Sequence, residues 1–265
     1  TYDTAGPSVT VNQNAGQSDP ASSTSVLFDV VFSEAIDAAT FTTADINEGG
    51  TATGVTWALA TGDNITWTLS ATAVIGDGTL VPSIPGSAVQ DPAGNNNAAS
   101  TSTDNSVSFE TVQPSVTINQ AADQCDPAGS LPITFDVVFS EAIDDATFTT
   151  ADITQSGTST SVTWAIANSG DNINYTLTAT AVSNDGTVQP TIAAGVVQDT
   201  AGNSNTVSTS TDNTVTYDST TPSVTINQAG GQADPTNGLP IAFAVVFSEP
   251  IDAATFTNAD ISDAG

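Results

Sequence analysis

Lysine, arginine, histidine and methionine are all missing from the 265 residues. All 29 charged side chains are carboxylates, which sets the formal net charge at −29. Without Lys or Arg nothing can neutralise phosphate, so nucleic acid and anionic membrane surfaces are excluded as partners. Without His, Lys, Arg or a pair of cysteines, most general bases, phosphate clamps and activated nucleophiles are gone too, and the chain reads as non-enzymatic. Two carboxylates suffice for a glycosidase, but no acid pair sits in a cleft-forming insertion. Proteases of trypsin type find no cleavage site. Cys125 is the only cysteine, so an intrachain disulfide is excluded; it reads as a small residue tolerated in a surface loop, with an interchain bond the one covalent role left open. No apolar run approaches the length of a membrane span, and no signal peptide stands at Thr1. Lacking an initiator Met, the chain reads as a mature or excised piece.

Charged residues are only 11 % of the chain, against about a quarter in ordinary soluble proteins. Asp outnumbers Glu 24 to 5. A halophile's solvated shell would be denser and richer in Glu. Asp concentrated in loops points instead to turn chemistry and metal ligation.

What the chain does contain is repetition. Phe28-Asp29-Val30-Val31-Phe32-Ser33-Glu34 returns as Phe135-Asp136-Val137-Val138-Phe139-Ser140-Glu141 and as Phe243-Ala244-Val245-Val246-Phe247-Ser248-Glu249, at steps of 107 and 108 residues. Alternation puts Val26, Phe28, Val30 and Phe32 on one side of a strand and Asp29 on the other. A buried face would not tolerate an unpaired Asp, so this is a central strand with one face in a core and one in water. The organisation expected is the tail of a preceding repeat at 1–5, complete repeats at 6–111 and 112–219, and an incomplete third at 220–265.

One repeat holds about seven strands. Val9 and Val11 mark the first, and 26–34 the second. A short third lies within 41–46; Trp57 and Trp67 centre the next two. The sixth carries Leu80 and Ile84 and runs on toward Val89, and Val107 and Phe109 mark the last. Turn residues separate them, and only 37–40 suggests a helical turn. Many short strands in about 108 residues predict an all-β fold of tandem immunoglobulin-like β-sandwiches.

The chain resembles the bacterial Ig-like repeats of very large secreted and cell-surface proteins. The resemblance rests on Val245-Val246-Phe247-Ser248-Glu249-Pro250, Ala44-Asp45-Ile46, Asp185-Gly186-Thr187-Val188, Gln198-Asp199-Thr200-Ala201-Gly202-Asn203 and Ser210-Thr211-Asp212-Asn213-Thr214-Val215-Thr216-Tyr217-Asp218. It covers nearly the whole chain and implies extracellular or cell-surface placement, tandem arrays and frequent calcium dependence.

Threading the strands alternately up and down sorts the acids by pole. Glu34, Asp37, Asp63 and Asp91 gather at the end nearer the preceding repeat, and Asp19, Glu48, Asp77 and Glu110 at the other. Stacked repeats then press two acidic poles together with no cationic side chain to relieve them. Ca2+, which accepts about six to eight oxygen ligands, would do so. The expected ligands are Glu110, Glu141, Asp144 and Asp199 at the first junction and Asp218, Glu249 and Asp252 at the second. Asp3, Glu34, Asp37 and Asp91 are the set at the chain's start. The plainer alternative is solvated turn aspartates, since no closed calcium loop is present.

Trp57, Trp67 and Trp164 stand in phase with aliphatic neighbours, which marks them as core rather than a sugar platform. Asn64-Ile65-Thr66 and Asn174-Tyr175-Thr176 are sequons at non-equivalent offsets. Three functions follow as expectations. The chain is a structural extender of an extracellular adhesin or fibre, stiffened by calcium; or a subunit of a self-assembling filament, with repeats completed or paired between chains; or a carbohydrate-binding module. The expected partners are further Ig-like repeats of the same or neighbouring chains.

Overall fold

The computed structural model describes residues 2–262. In the first unit the strands are β1 (Val9–Gln13), β2 (Val26–Phe32), β3 (Asn47–Glu48), β4 (Thr56–Thr61), β5 (Thr66–Ala73), β6 (Gly78–Leu80), β7 (Pro82–Ser83) and β8 (Val107–Phe109). The second unit repeats the set as β9 (Val116–Gln120), β10 (Ile133–Phe139), β11 (Ile153–Gln155), β12 (Thr163–Asn168), β13 (Asn174–Ala181), β14 (Gly186–Val188), β15 (Pro190–Ile192) and β16 (Val215–Tyr217). Two strands follow, β17 (Val224–Gln228) and β18 (Phe243–Phe247). The fold is all-β and its sheets are antiparallel; among the described residues no helix is long and apolar enough to cross a membrane.

Each complete unit has two layers. One is a four-stranded sheet in the order β1-β2-β5-β4, repeated as β9-β10-β13-β12. The other is built from short pairs, β3 with β7 and β6 with β8, repeated as β11 with β15 and β14 with β16. Alternation makes the layers fit: Val26, Phe28, Val30 and Phe32 are buried while Leu27, Asp29 and Val31 are not. From the facing layer Ile46, Leu80, Ile84 and Val107 join the same core, and Val116 to Val215 form a separate, equivalent one. Burying each such side chain is worth about 1.5–3 kcal/mol, which makes these faces the main source of stability.

Two strand expectations are corrected. Residues 41–46 are not a strand: Phe41 drops into the core between two 3₁₀ turns, Ala38–Thr40 and Thr43–Asp45, and the strand starts only at Asn47. Thr42 and Asp45 form a reciprocal capping box that holds the second turn, a local bond set that competes with strand pairing. The sixth strand is split. β6 pairs with β8 and β7 pairs with β3, so one stretch serves two neighbours in turn and ends at Ser83, short of Val89.

The third segment is a lone hairpin. β17 and β18 pair in the register of β1 and β2, but nothing among the described residues pairs with the other edge of β18. Phe28 and Phe135 are fully buried (0 %), whereas Phe243 is 63 % exposed.

Candidate metal centre

The acids at the seam reach it from three places. Glu110 directly follows β8, Glu141 stands two residues past β10, and Asp199 is in the loop between β15 and β16. Their carboxylate oxygens lie within 4.8 Å of one another, with Asp199 buried and the two glutamates half-buried. Asp3, Glu34 and Asp91 repeat the arrangement at the start of the chain, again within 4.8 Å. Of the expected ligands, these six are brought together in two groups of three.

The buried member of each group is set by a tight turn. Asp199 Oδ1 accepts from the backbone N–H groups of Ala201 and Asn203, both at 2.8 Å, and Oδ2 accepts from the Asn203 side-chain amide at 2.9 Å. Gly202 allows the turn by taking φ +92°. Asp91, Ala93, Gly94 and Asn95 make the same bonds. There the Asn95 side-chain amide, followed by backbone N–H groups, holds the Asp91 carboxyl below the usual carboxylate range. Asn203 also spans the seam: its Nδ2 donates to the Glu110 backbone carbonyl at 3.2 Å and to Glu110 Oε2 at 2.6 Å.

The glutamates experience the opposite field. Burial, and then the charges of Asp199 and Glu141, push Glu110 above its ordinary value against the lowering effect of the Val112 N–H. Burial and the Asp199 charge push Glu141 up likewise. Both carboxylates are being crowded by negative charge that no cationic side chain offsets.

The other expected ligands lie outside these groups. Asp37, Asp144 and Asp252 each turn Oδ1 onto a backbone N–H two residues on, capping a turn at 3.0, 3.1 and 2.9 Å. Asp218 Oδ1 accepts from the Thr220 N–H at 3.0 Å. Glu249 buries Oε1 without a partner, and the sequence stops at Gly265, short of a third counterpart to Asp91 and Asp199.

Two contributors were not anticipated. Asn95 and Asn203 are the first; their recurrence in Ala-Gly-Asn after each buried Asp was the available signal. The second is Asp185, whose carboxylate accepts from Ser219 N–H and Oγ–H and from Thr220 Oγ1–H at 2.9, 2.8 and 2.7 Å, fastening the segment that leads out of the second unit. Asp77 does this less completely for Thr111, through a backbone bond of 3.2 Å and a side-chain bond of 2.9 Å.

The tryptophans offer no exposed platform. Trp67 is buried, and Trp57 and Trp164 stand edge-on to Phe28 and Phe135 at 5.9 and 6.2 Å. Cys125 is exposed and free.

Each group supplies hard oxygen donors of one sign, held by backbone turns, and that chemistry fits Ca2+ better than a softer metal. No protein-family model matches the chain, and no curated protein matches it.

Proposed function

We propose that the chain is a non-enzymatic structural segment of an extracellular surface adhesin or fibre, built of tandem immunoglobulin-like β-sandwiches whose seams are stiffened by Ca2+. The immunoglobulin-like assignment is supported by the strand order. Naming the seven strands A to G in chain order, the large sheet runs A-B-E-D and the small layer C-F-G, with F divided between C and G. Placement outside the cell rests on the repeat resemblance.

The observation that carries the mechanical role is the three-carboxylate group that Glu110 of one unit forms with Glu141 and Asp199 of the next. Here Ca2+ would supply positive charge shared by both units. The chain's own residues do the rest: the Asp199 turn presents a fixed oxygen, Asn203 holds Glu110 against it, and the short linker keeps the poles close. Without a cation, repulsion at the seam favours reorientation of the units.

Calcium titration of the 265-residue chain, followed by small-angle scattering and thermal unfolding, tests this. At about 100 times Kd, calcium is expected to add about 2.7 kcal/mol to the unit that binds it and to narrow the distribution of end-to-end distances. Glu141→Gln, at a half-buried position, is expected to remove most of both effects. A scattering curve and melting temperature indifferent to calcium and chelator would exclude the metal.

A second function, pairing between neighbouring chains into a filament or matrix, is favoured by the apolar face that β17 and β18 leave uncovered.

A further inference from the structure

The inner face of the β17–β18 hairpin is built like a core and lacks its cover. Ile226, Ile241, Phe243, Val245 and Ile261 line an open groove of about 620 Å³ together with Ser262, and no carboxylate borders it. The matching residues of the first unit, Val11, Val26, Phe28, Val30 and Ile46, are all buried. Those of the second, Ile118, Ile133, Phe135, Val137 and Ile153, are buried too. The hairpin is nevertheless formed, with β17 and β18 in full register from Val224↔Phe247 to Gln228↔Phe243.

Charge limits what can cover this face. The chain carries −29 and no positive side chain, so most contacts between two copies bring carboxylates together. The groove is the exception. It is apolar, uncharged and formed by one patch, which suits a two-fold contact in which the same residues meet on both sides. The hydrophobic effect favours the contact without requiring a cationic partner.

We infer that the groove is a self-association surface, closed by the same groove of a second copy with the two hairpins packed face to face. This deepens the second function proposed above and is independent of calcium at the seams. Five side chains that are half-exposed or less bury on the order of 500 Å² per copy, or about 1,000 Å² in total. That lies at the small end of specific interfaces, so the dimer is expected to be weak, with Kd in the micromolar range. Salt strengthens it, because about 1 M ionic strength shortens the screening length to about 3 Å and removes repulsion between the acidic units.

Sedimentation velocity of the full 265-residue chain, from about 1 to about 500 µM and at low and high salt, provides the test. A monomer–dimer equilibrium that tightens with salt is expected. Ile226→Thr keeps a strand-compatible residue and is expected to weaken the dimer at least about tenfold while the hairpin amides stay protected. Ala244→Asp, on the outward side of β18, restores the Asp found at positions 29 and 136 and is expected to leave the dimer intact. Loss of the dimer on Ala244→Asp would mean pairing along the β18 edge, and overturns face-to-face packing. A synthetic peptide with the sequence of Asn174–Ala181 is expected not to compete; if it binds the hairpin and yields monomer, the groove is an acceptor for a strand and the inference fails. A dimer indifferent to Ile226→Thr overturns the inference alone, whereas a monomer under every condition removes the second function with it.

Discussion

The first and second units have the same strand order but complete their buried polar bonds differently. Tyr175 of the second unit donates its hydroxyl to Asp145 Oδ1 at 3.0 Å. In the first unit Trp67 stands at that place and Ala38 replaces the acceptor, so Trp67 Nε1 is buried without a partner. Gln155 accepts from the Gln189 N–H and donates from Nε2 to the carbonyls of Ser159 and Thr187. Its counterpart Glu48 keeps the first bond, to Val81, but cannot copy the amide, and Oε2 is left buried and unpartnered. The second unit has its own orphan: Ser159 Oγ, where the first unit has Ala52. A common backbone thus tolerates different polar side chains, and the cost appears where donor and acceptor did not change together.

The largest expected difference comes from separating the cores. Phe135→Ala should destabilise the second unit by about 3–5 kcal/mol and leave the first nearly unchanged, since the cores share no side chain. Chemical denaturation followed by fluorescence, with Trp164 the only tryptophan of the second unit, would resolve the two transitions. Asp145→Ala should cost about 1–3 kcal/mol by leaving the Tyr175 hydroxyl in the condition of Trp67 Nε1, and the second transition alone should move.

Smaller changes should improve each unit by borrowing from the other. Glu48→Gln is expected to stabilise the first unit by about 1 kcal/mol, as the new amide reaches the carbonyls of Ala52 and Thr79. Ser159→Ala should stabilise the second by a similar amount, about 1 kcal/mol. A loss of stability in either variant would show that the orphaned oxygen has a role of its own.

The smallest effect is local and depends on pH. Backbone N–H groups and the side-chain amide of Asn174 hold the Asp171 carboxyl down at about 2. A depressed folded value contributes stability above the unfolded value of about 3.9, and that contribution is lost as pH falls through the folded value. The β12–β13 turn should therefore loosen between about pH 4 and pH 2, in the Ile173 and Asn174 amide signals, before the strands yield. Asp171→Asn should blunt that dependence.

Much of the architecture was legible in order of residues. Val26, Phe28, Val30 and Phe32 announce an inward face because period two is a property of the strand itself. The misplaced third strand shows the limit: Phe41 and Ile46 are buried as an extended segment would bury them, but Thr42 and Asp45 bond to each other's backbone and coil the chain between them. At the seam, the pole assignment placed Glu110, Glu141 and Asp199 on facing ends. It could not distinguish Asp199, which meets two glutamates, from Asp144, which caps a turn.

Composition and spacing alone determined that the chain is acidic without compensation, repeats at about 108 residues and builds its cores from alternating apolar positions. Those are properties of the residues or of the strand that carries them. Tertiary structure decided which carboxylates meet and which turn onto their own backbone, that Asn203 bridges two units, and that the β17–β18 face stays uncovered. An aspartate in a loop has the same chemistry in either role, and only the path of the surrounding chain determines whether an N–H or another carboxylate lies within reach.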